Sequence, residues 1–192
     1  MRQIVQYFDT GDTEVLDVPV PQIRPGYMLI ESLCSLISSG TERTLVDFGK
    51  AGYLSKALKQ PDKVKQVLNK VKTDGIQSTV EAVSSKLKTP IPMGYNNVGI
   101  VREIGAGVEG YKLGDRVVSN GPHAEFFVSP KNLCALVPDG VDDETAVFTV
   151  IASIALQGVR LIEPTMGETV VVIGLGLVGL LAVQLLLANG CN

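Results

Sequence analysis

Three glycines near the C-terminal end have the spacing of a phosphate-binding turn. Gly174, Gly176 and Gly179 read G-x-G-x-x-G, after the β-branched run Thr169–Ile173 and before the helix-forming residues Leu177–Ala188. Each glycine has its own task in that context. Gly174 allows a tight turn out of a strand, Gly176 admits a pyrophosphate to the backbone, and Gly179 lets helix and strand pack closely. A helix opening with Leu177 and Val178 adds free N–H groups and the positive end of its dipole, which favour an anion. The spacing predicts a dinucleotide-binding turn between a buried parallel strand and a helix. Two other readings fit the same residues: a purely structural strand–helix unit, and a membrane span, because residues 169–192 carry no charge over more than ~18 positions. The glycine cluster and the lack of a basic flank argue against the span. The acidic residue that holds a ribose follows such glycines by ~20 positions, which lies past Asn192. The expectation is the opening βα unit of a larger domain, in a fragment that is inactive alone.

Other reactive side chains are few. His123 is the only histidine, a candidate acid/base group, but Gly121-Pro-His-Ala124 reads as a turn entering a strand, with a solvent-exposed ring. Cys34, Cys134 and Cys191 are odd in number and far apart. They match neither a disulfide framework nor a C-x-x-C metal spacing, which favours a reducing cytoplasm. The first residues have no apolar run, so no signal peptide is expected.

The elements that must position these groups are β-rich at first. Strands are predicted at Arg2–Phe8, Glu14–Val18 and Tyr27–Ile37, with a turn at Asp9–Asp12 and punctuation at Pro19, Pro21 and Gly26. In the third strand Met28, Ile30, Ser32 and Cys34 alternate with Leu29, Glu31, Leu33 and Ser35, which predicts two faces. Residues 50–90 are different. Val64, Val67, Leu68 and Val71, and then Ile76, Val80, Val83 and Leu87, lie at helical spacing, so two amphipathic helices interrupt the β part. Strands resume at Val98–Ile104, Tyr111–Val118, His123–Val128 and Leu133–Val137. Asp142 or Asp143 can cap a helix over Glu144–Ile154, followed by a helical run over Ser153–Leu161.

The 192 residues, 45% hydrophobic and 19% charged, are those of an ordinary globular protein. The net charge of −3 hides an asymmetry: Lys50 to Lys88 holds nine lysines and three acids, a net of +6, and the rest carries −9. Such helices can meet an anionic substrate, an acidic partner or a membrane surface, or present a solvated face. No Arg cluster and little aromatic content argue against nucleic acid.

Gly94-Tyr-Asn-Asn-Val-Gly-Ile-Val101, the turn Gly105-Ala-Gly107 and Gly114-Asp-Arg-Val117 together resemble the core signature of the medium-chain dehydrogenases/reductases, the alcohol dehydrogenase superfamily. Ser39-Gly-Thr-Glu42, Ala146-Val-Phe-Thr149 and the terminal Gly-Leu-Gly-Leu-Val-Gly agree in order. The resemblance implies an α+β chain, mainly β: a GroES-like β-barrel catalytic domain over 1–150 with the helical insert 50–90, then a linking helix and the first βα unit of a Rossmann domain over 151–192.

The departures from the family pattern bear on chemistry. Where zinc-dependent members carry Cys and His ligands, this sequence has Ser39 and Tyr95; the neighbouring Glu is Asn96, and the third ligand position is Thr149. The four cysteines of a structural zinc lobe are absent. Hydroxyls do not replace thiolate and imidazole around Zn²⁺, so the resemblance implies a zinc-free member with no metal site. The oxygen of the substrate then falls to hydrogen-bond donors and proton carriers. The candidates are Ser39, Tyr95 and Thr41, the last at the family's proton-relay position. Ser39 and Thr41 can equally cap a turn, and Tyr95 can pack against the barrel. Gly174, Gly176, Leu177, Val178, Gly179 and Thr149 are the candidate contacts to NAD or NADP. The implied function is hydride transfer to or from a small alcohol or carbonyl, in the style of dehydrogenases of sugar metabolism, in a cytoplasmic homo-oligomer or with the rest of a longer chain, and without nucleic acid or membrane. The rival reading is a non-catalytic GroES-like assembly module that self-associates through its C-terminal strand and helix.

Overall fold

The computed structural model describes residues 1–51, 58 and 61–192. In chain order its elements are β1 (Arg2–Gln6), β2 (Thr13–Asp17), β3 (Tyr27–Ser35), α1 (Ser39–Lys50), α2 (Pro61–Asp74), α3 (Ile76–Lys88), β4 (Ile91–Pro92), β5 (Asn97–Ile104), β6 (Arg116–Ser119), β7 (Phe126–Pro130), β8 (Cys134–Leu136), α4 (Asp143–Ala146), α5 (Thr149–Ile162) and α6 (Leu177–Ala188). The chain is a mixture of α and β that divides into two compact units. One holds Met1, Val18–Ser38 and Gly94–Asn192, the other Arg2–Asp17 and Ser39–Met93.

The first unit is built on an antiparallel sheet of order β7-β3-β5-β6-β8. Alternation along its strands fills both faces. Met28, Ile30, Val101, Val117 and Phe127 form one buried cluster, and Val98 and Val118 with Ala146 and Val147 form another. Val117 and Val118 are neighbours on β6, so the two clusters lie on opposite faces. The simple alternation expected for β3 fails at one point. Ser32 pairs with Gly99 and Cys34 with Val98, which leaves Leu33 as an extra, bulged residue, 48% exposed. The bulge transfers Cys34 from the Met28–Ile30 face to the Val98 face.

The strand expected over Tyr111–Val118 is shorter than its sequence suggested. Asp115 folds back to accept the N–H of Lys112 at 2.7 Å, which makes a turn and leaves only Arg116–Ser119 in the sheet. Arg116 then ties the sheet to α4, donating to the Asp143 carboxylate at 3.1 Å and to the carbonyl of Pro138 at 3.2 Å. Asp142 caps α4 by accepting the N–H of Thr145 at 2.6 Å. The continuous helix expected from Glu144 breaks at Val147–Phe148 into α4 and the longer α5.

In the second unit, β2, β1 and β4 pair antiparallel. Its helical part opens at Ser39, well before the lysine-rich residues, although Gly40 and Gly49 weaken the local helix preference. Val64, Val67 and Val71 of α2 are half-buried as their spacing requires. On α3 the expected stripe is rotated: Ile76 and Val80 are 71% and 59% exposed, and Thr79 is buried instead. Its hydroxyl donates to the Gly75 carbonyl at 2.7 Å, which satisfies the polar atom and permits burial. Lys56 and Lys59 lie outside the described residues, as do the side chains of Lys63, Leu68, Lys70 and Lys86. Among the described residues no helix is long and apolar enough to cross a membrane.

Candidate functional site

The glycine turn lies in the first unit. Gly174 has φ +95°, the left-handed conformation its turn needs. A Cβ on Gly179 would stand 1.9 Å from the Gly174 carbonyl oxygen, so this glycine is required for α6 to pack on the turn. Gly176 is different: a Cβ there would meet nothing within 4 Å, so the backbone of the α6 N-cap faces open space. No side chain caps α6, and the first N–H groups of a helix have no partner within it. The positions of Gly176, Leu177, Val178 and Gly179 therefore suit a pyrophosphate: open space at the backbone, unpaired donors and a positive helix end.

The residues before the turn differ from expectation. Thr169–Ile173 is extended but belongs to neither sheet, with Val171 and Ile173 80% and 96% exposed. A buried parallel strand needs neighbours at its edges and cover on both faces. Here one edge is paired, by a short parallel ladder in which Asn192 N–H donates to Glu168 O at 2.8 Å and Val170 N–H donates to Asn192 O at 2.9 Å. One face is covered, as Val170 and Val172 pack on Val159, Leu186 and Cys191.

Tyr95 and Asn96 sit at the entrance to β5 in the same unit. Tyr95 is half-buried. The preceding Gly94 has φ +89°, and a Cβ on it would lie 2.7 Å from the ring of His123. That ring corrects an expectation: His123 is only 7% exposed, with Nδ1 2.9 Å from Ser35 Oγ. It is a buried support for the Gly94–Tyr95 turn rather than an exposed loop residue. Asn97 donates to Ser32 Oγ at 2.9 Å and to the Pro122 carbonyl at 3.1 Å, which holds the other end of the same loop. Asn96 is fully buried, and neither its Nδ2 nor its Oδ1 has a partner among the described residues. Both the orphan amide and the buried imidazole escaped sequence reading.

Thr149 opens α5, and its hydroxyl donates back to the Ala146 carbonyl at 2.7 Å. In the second unit Ser39 and Thr41 lie in the first turn of α1, both exposed, beside Glu42, which is 6% exposed. Tyr95 and Thr149 of the first unit and Ser39 of the second each offer a hydroxyl. Among the described residues no three His, Cys, Asp or Glu side chains gather as a metal site.

Residues 63–172, more than half of the chain, match the alcohol dehydrogenase GroES-like domain. A curated relative, the probable D-xylulose reductase A of Neosartorya fischeri, is 26% identical in an alignment that covers 54% of this chain and 38% of that protein. The galactitol-1-phosphate dehydrogenase of Escherichia coli has a similar fold, with TM-score 0.69 and 18% identity over 100% of this chain and 54% of its own. So does the quinone oxidoreductase of Thermus thermophilus, whose structure was also determined with NADPH: TM-score 0.65 and 21% identity over 100% of this chain and 52% of its own. The chain thus spans about half the length of these structural neighbours. It belongs to the alcohol dehydrogenase GroES-like domain family.

Proposed function

We propose that this chain supplies the catalytic side and the first phosphate-binding turn of a zinc-independent, NAD(P)-dependent oxidoreductase acting on a small alcohol or carbonyl, a sugar-like polyol or ketose by preference. The observation that carries the reading is the α6 N-terminus, where Gly179 must be glycine for packing while Gly176 leaves its backbone open. Gly174, Gly176, Leu177, Val178 and Gly179 would hold the pyrophosphate, and Thr149 would line the cofactor side. NAD(P), when bound, accepts or supplies the hydride at the substrate carbon. The protein's own task is then the proton on the substrate oxygen, which we assign to the hydroxyls of Ser39, Thr41 and Tyr95. The donor chemistry at the ligand positions supports zinc independence. We divide the chain functionally into a catalytic part, 1–150, with the insert 50–90, and a nucleotide-binding part from 151. The three free cysteines favour a cytoplasmic setting, and the partners are small molecules and further copies of the protein rather than nucleic acid or membrane.

The test is turnover of D-xylulose and related ketoses with NADH or NADPH by the intact protein after chelation. Activity should survive metal removal and fall in Tyr95→Phe and Ser39→Ala. Loss on chelation with recovery on added zinc would sink the proposal. Because its structural neighbours extend over about twice the length, the 192-residue chain alone should turn over no NAD(P)H, and clear steady-state activity from it would refute that part.

A second reading, a non-catalytic assembly module, is favoured by the exposure of Val171, Ile173 and Leu187 at 80%, 96% and 61%. It predicts self-association through residues 169–190. Light scattering that shows a monomer at high concentration would dismiss it.

A further inference from the structure

Resting on the reading of Tyr95 as a proton carrier, we propose that His123 is a positioning residue for Tyr95 and that Ser35 sets the plane of its ring. His123 is the central residue of a three-residue turn, in which the Ala124 N–H donates to the Pro122 carbonyl at 3.0 Å. Both flanks of that turn are tied to the sheet. Asn97 donates to the Pro122 carbonyl at 3.1 Å, and the Ser32 hydroxyl donates to the Ala124 carbonyl. The Ser32 N–H adds a bond to the Glu125 carbonyl at 2.9 Å. The imidazole is thereby carried inward, although it follows a proline in a loop.

The rotation of a histidine ring about its second torsion is broad and soft. The contact of Nδ1 with Ser35 Oγ, at 2.9 Å, selects one ring plane. Gly94 rests on that plane. A Cβ there would stand 2.7 Å from Cγ and Cδ2 of His123 and 2.8 Å from Cε1. Near-equal distances to three ring atoms mean that the flat of the ring, not its edge, meets the glycine. Tyr95 follows directly, and on its other side the Asn96 carbonyl accepts the Leu36 N–H at 3.1 Å. Ser35 and Leu36, neighbours at the end of β3, thus hold the backbone on both sides of Tyr95.

An apolar ring could fill the space under Gly94 without the desolvation that a buried imidazole incurs. What the imidazole adds is a nitrogen through which Ser35, itself exposed, fixes the orientation. Proton transfer makes use of that. A misplacement of about 1 Å can slow a positioned reaction on the order of a hundredfold, and supporting residues hold such groups to within about 0.5 Å.

The experiment is NMR on the purified chain with ¹³C-labelled tyrosine rings. Tyr95→Phe identifies the Tyr95 signal among the five tyrosines. Wild type should give one narrow Tyr95 signal. Ser35→Ala should shift or broaden it, and so should His123→Phe, which keeps a ring against Gly94 but offers Ser35 no nitrogen. Ser35→Thr restores a hydroxyl and should return the wild-type signal. Asp142→Ala, which weakens the fold at the cap of α4 instead, should leave the signal unmoved. Circular dichroism melts would show that each variant remains folded. In the intact protein, Ser35→Ala should lower kcat for D-xylulose at least about tenfold with KM for NADH unchanged, and Ser35→Thr should recover it. A Tyr95 signal unmoved in Ser35→Ala, unrecovered in Ser35→Thr, or moved as far by Asp142→Ala would overturn the positioning role. So would unchanged kinetics of Ser35→Ala in a protein that turns over D-xylulose. A wild type without turnover would count against the proton-carrier reading alone, while the NMR signals would still decide whether Ser35 and His123 hold Tyr95.

Discussion

Replacing Gly179 with alanine isolates the packing on which the nucleotide turn depends. The added methyl carbon would sit 1.9 Å from the Gly174 carbonyl oxygen and 3.1 Å from its carbon. Carbon–oxygen contacts normally relax to about 3.3–3.6 Å, so the backbone of the turn must open by roughly 1.5 Å. The obstacle is main chain, not the end of a flexible side chain. The cost therefore falls at the upper end of the range for overpacking, about 3 kcal/mol. Alanine's better helix propensity returns up to about 1 kcal/mol. The net loss is about 2 kcal/mol, or roughly 4–8 °C in Tm for a chain of this size. Gly176→Ala is the matched control: nothing lies within 4 Å and φ is −78°, so the fold should lose less than about 1 kcal/mol. Its methyl group, however, occupies the space offered to the pyrophosphate. Thermal melts and NADH titrations of the two variants should separate the effects, stability lost in one and binding lost in the other. Melting of Gly179→Ala within about 1 °C of wild type would refute the packing argument, and unimpaired NADH binding by Gly176→Ala would refute the assignment of the open backbone.

Three further outcomes follow from the geometry. Asn96→Leu removes a buried amide with no partner among the described residues and should raise stability by about 1–3 kcal/mol in urea unfolding; a decrease would mean that the amide is satisfied in solution. His123→Ala leaves a void against Gly94 and removes the partner of Ser35, and should cost about 1–3 kcal/mol, whereas an unchanged urea midpoint would contradict its supporting role. Asp142 has a pKa lowered from its ordinary 3.8 because the carboxylate accepts the backbone N–H and then the hydroxyl of Thr145. A depressed carboxylate stabilises the fold above its unfolded value and loses that contribution as pH falls through the lowered one. The stability gap between wild type and Asp142→Ala should therefore close in acid, below pH ~3.8, and a gap independent of pH would contradict the cap.

The glycine turn was legible because backbone requirements are written directly as residue identity: φ +95° at Gly174 and the contact at Gly179 admit no other residue without strain. β5 was legible because Val98–Ile104 is one run of strand-forming residues, from which Val98 and Val101 reach opposite clusters. What escaped depends on partners distant in sequence. His123 is buried by Gly94 and Ser35, neither of which its local Gly-Pro-His-Ala context reveals. The Leu33 bulge arises from pairing register with β5, and register is a property of two strands. The rotation of α3 turns on Thr79, whose hydroxyl is satisfied by Gly75 within its own helix turn, so a polar residue takes an apolar place. Thr169–Ile173 read as a buried strand from composition alone, while its burial depends on the elements that flank it.

The most direct measurement is a titration of the ¹⁵N-labelled chain with NADH and with ADP-ribose, following the backbone amides of residues 174–179. Shifts concentrated at Gly176, Leu177, Val178 and Gly179 with both ligands, and abolished by Gly176→Ala, are the predicted result. Amides of that turn that stay still while NADH perturbs another surface, or nothing at all, would contradict the assignment of this helix N-terminus as the dinucleotide site.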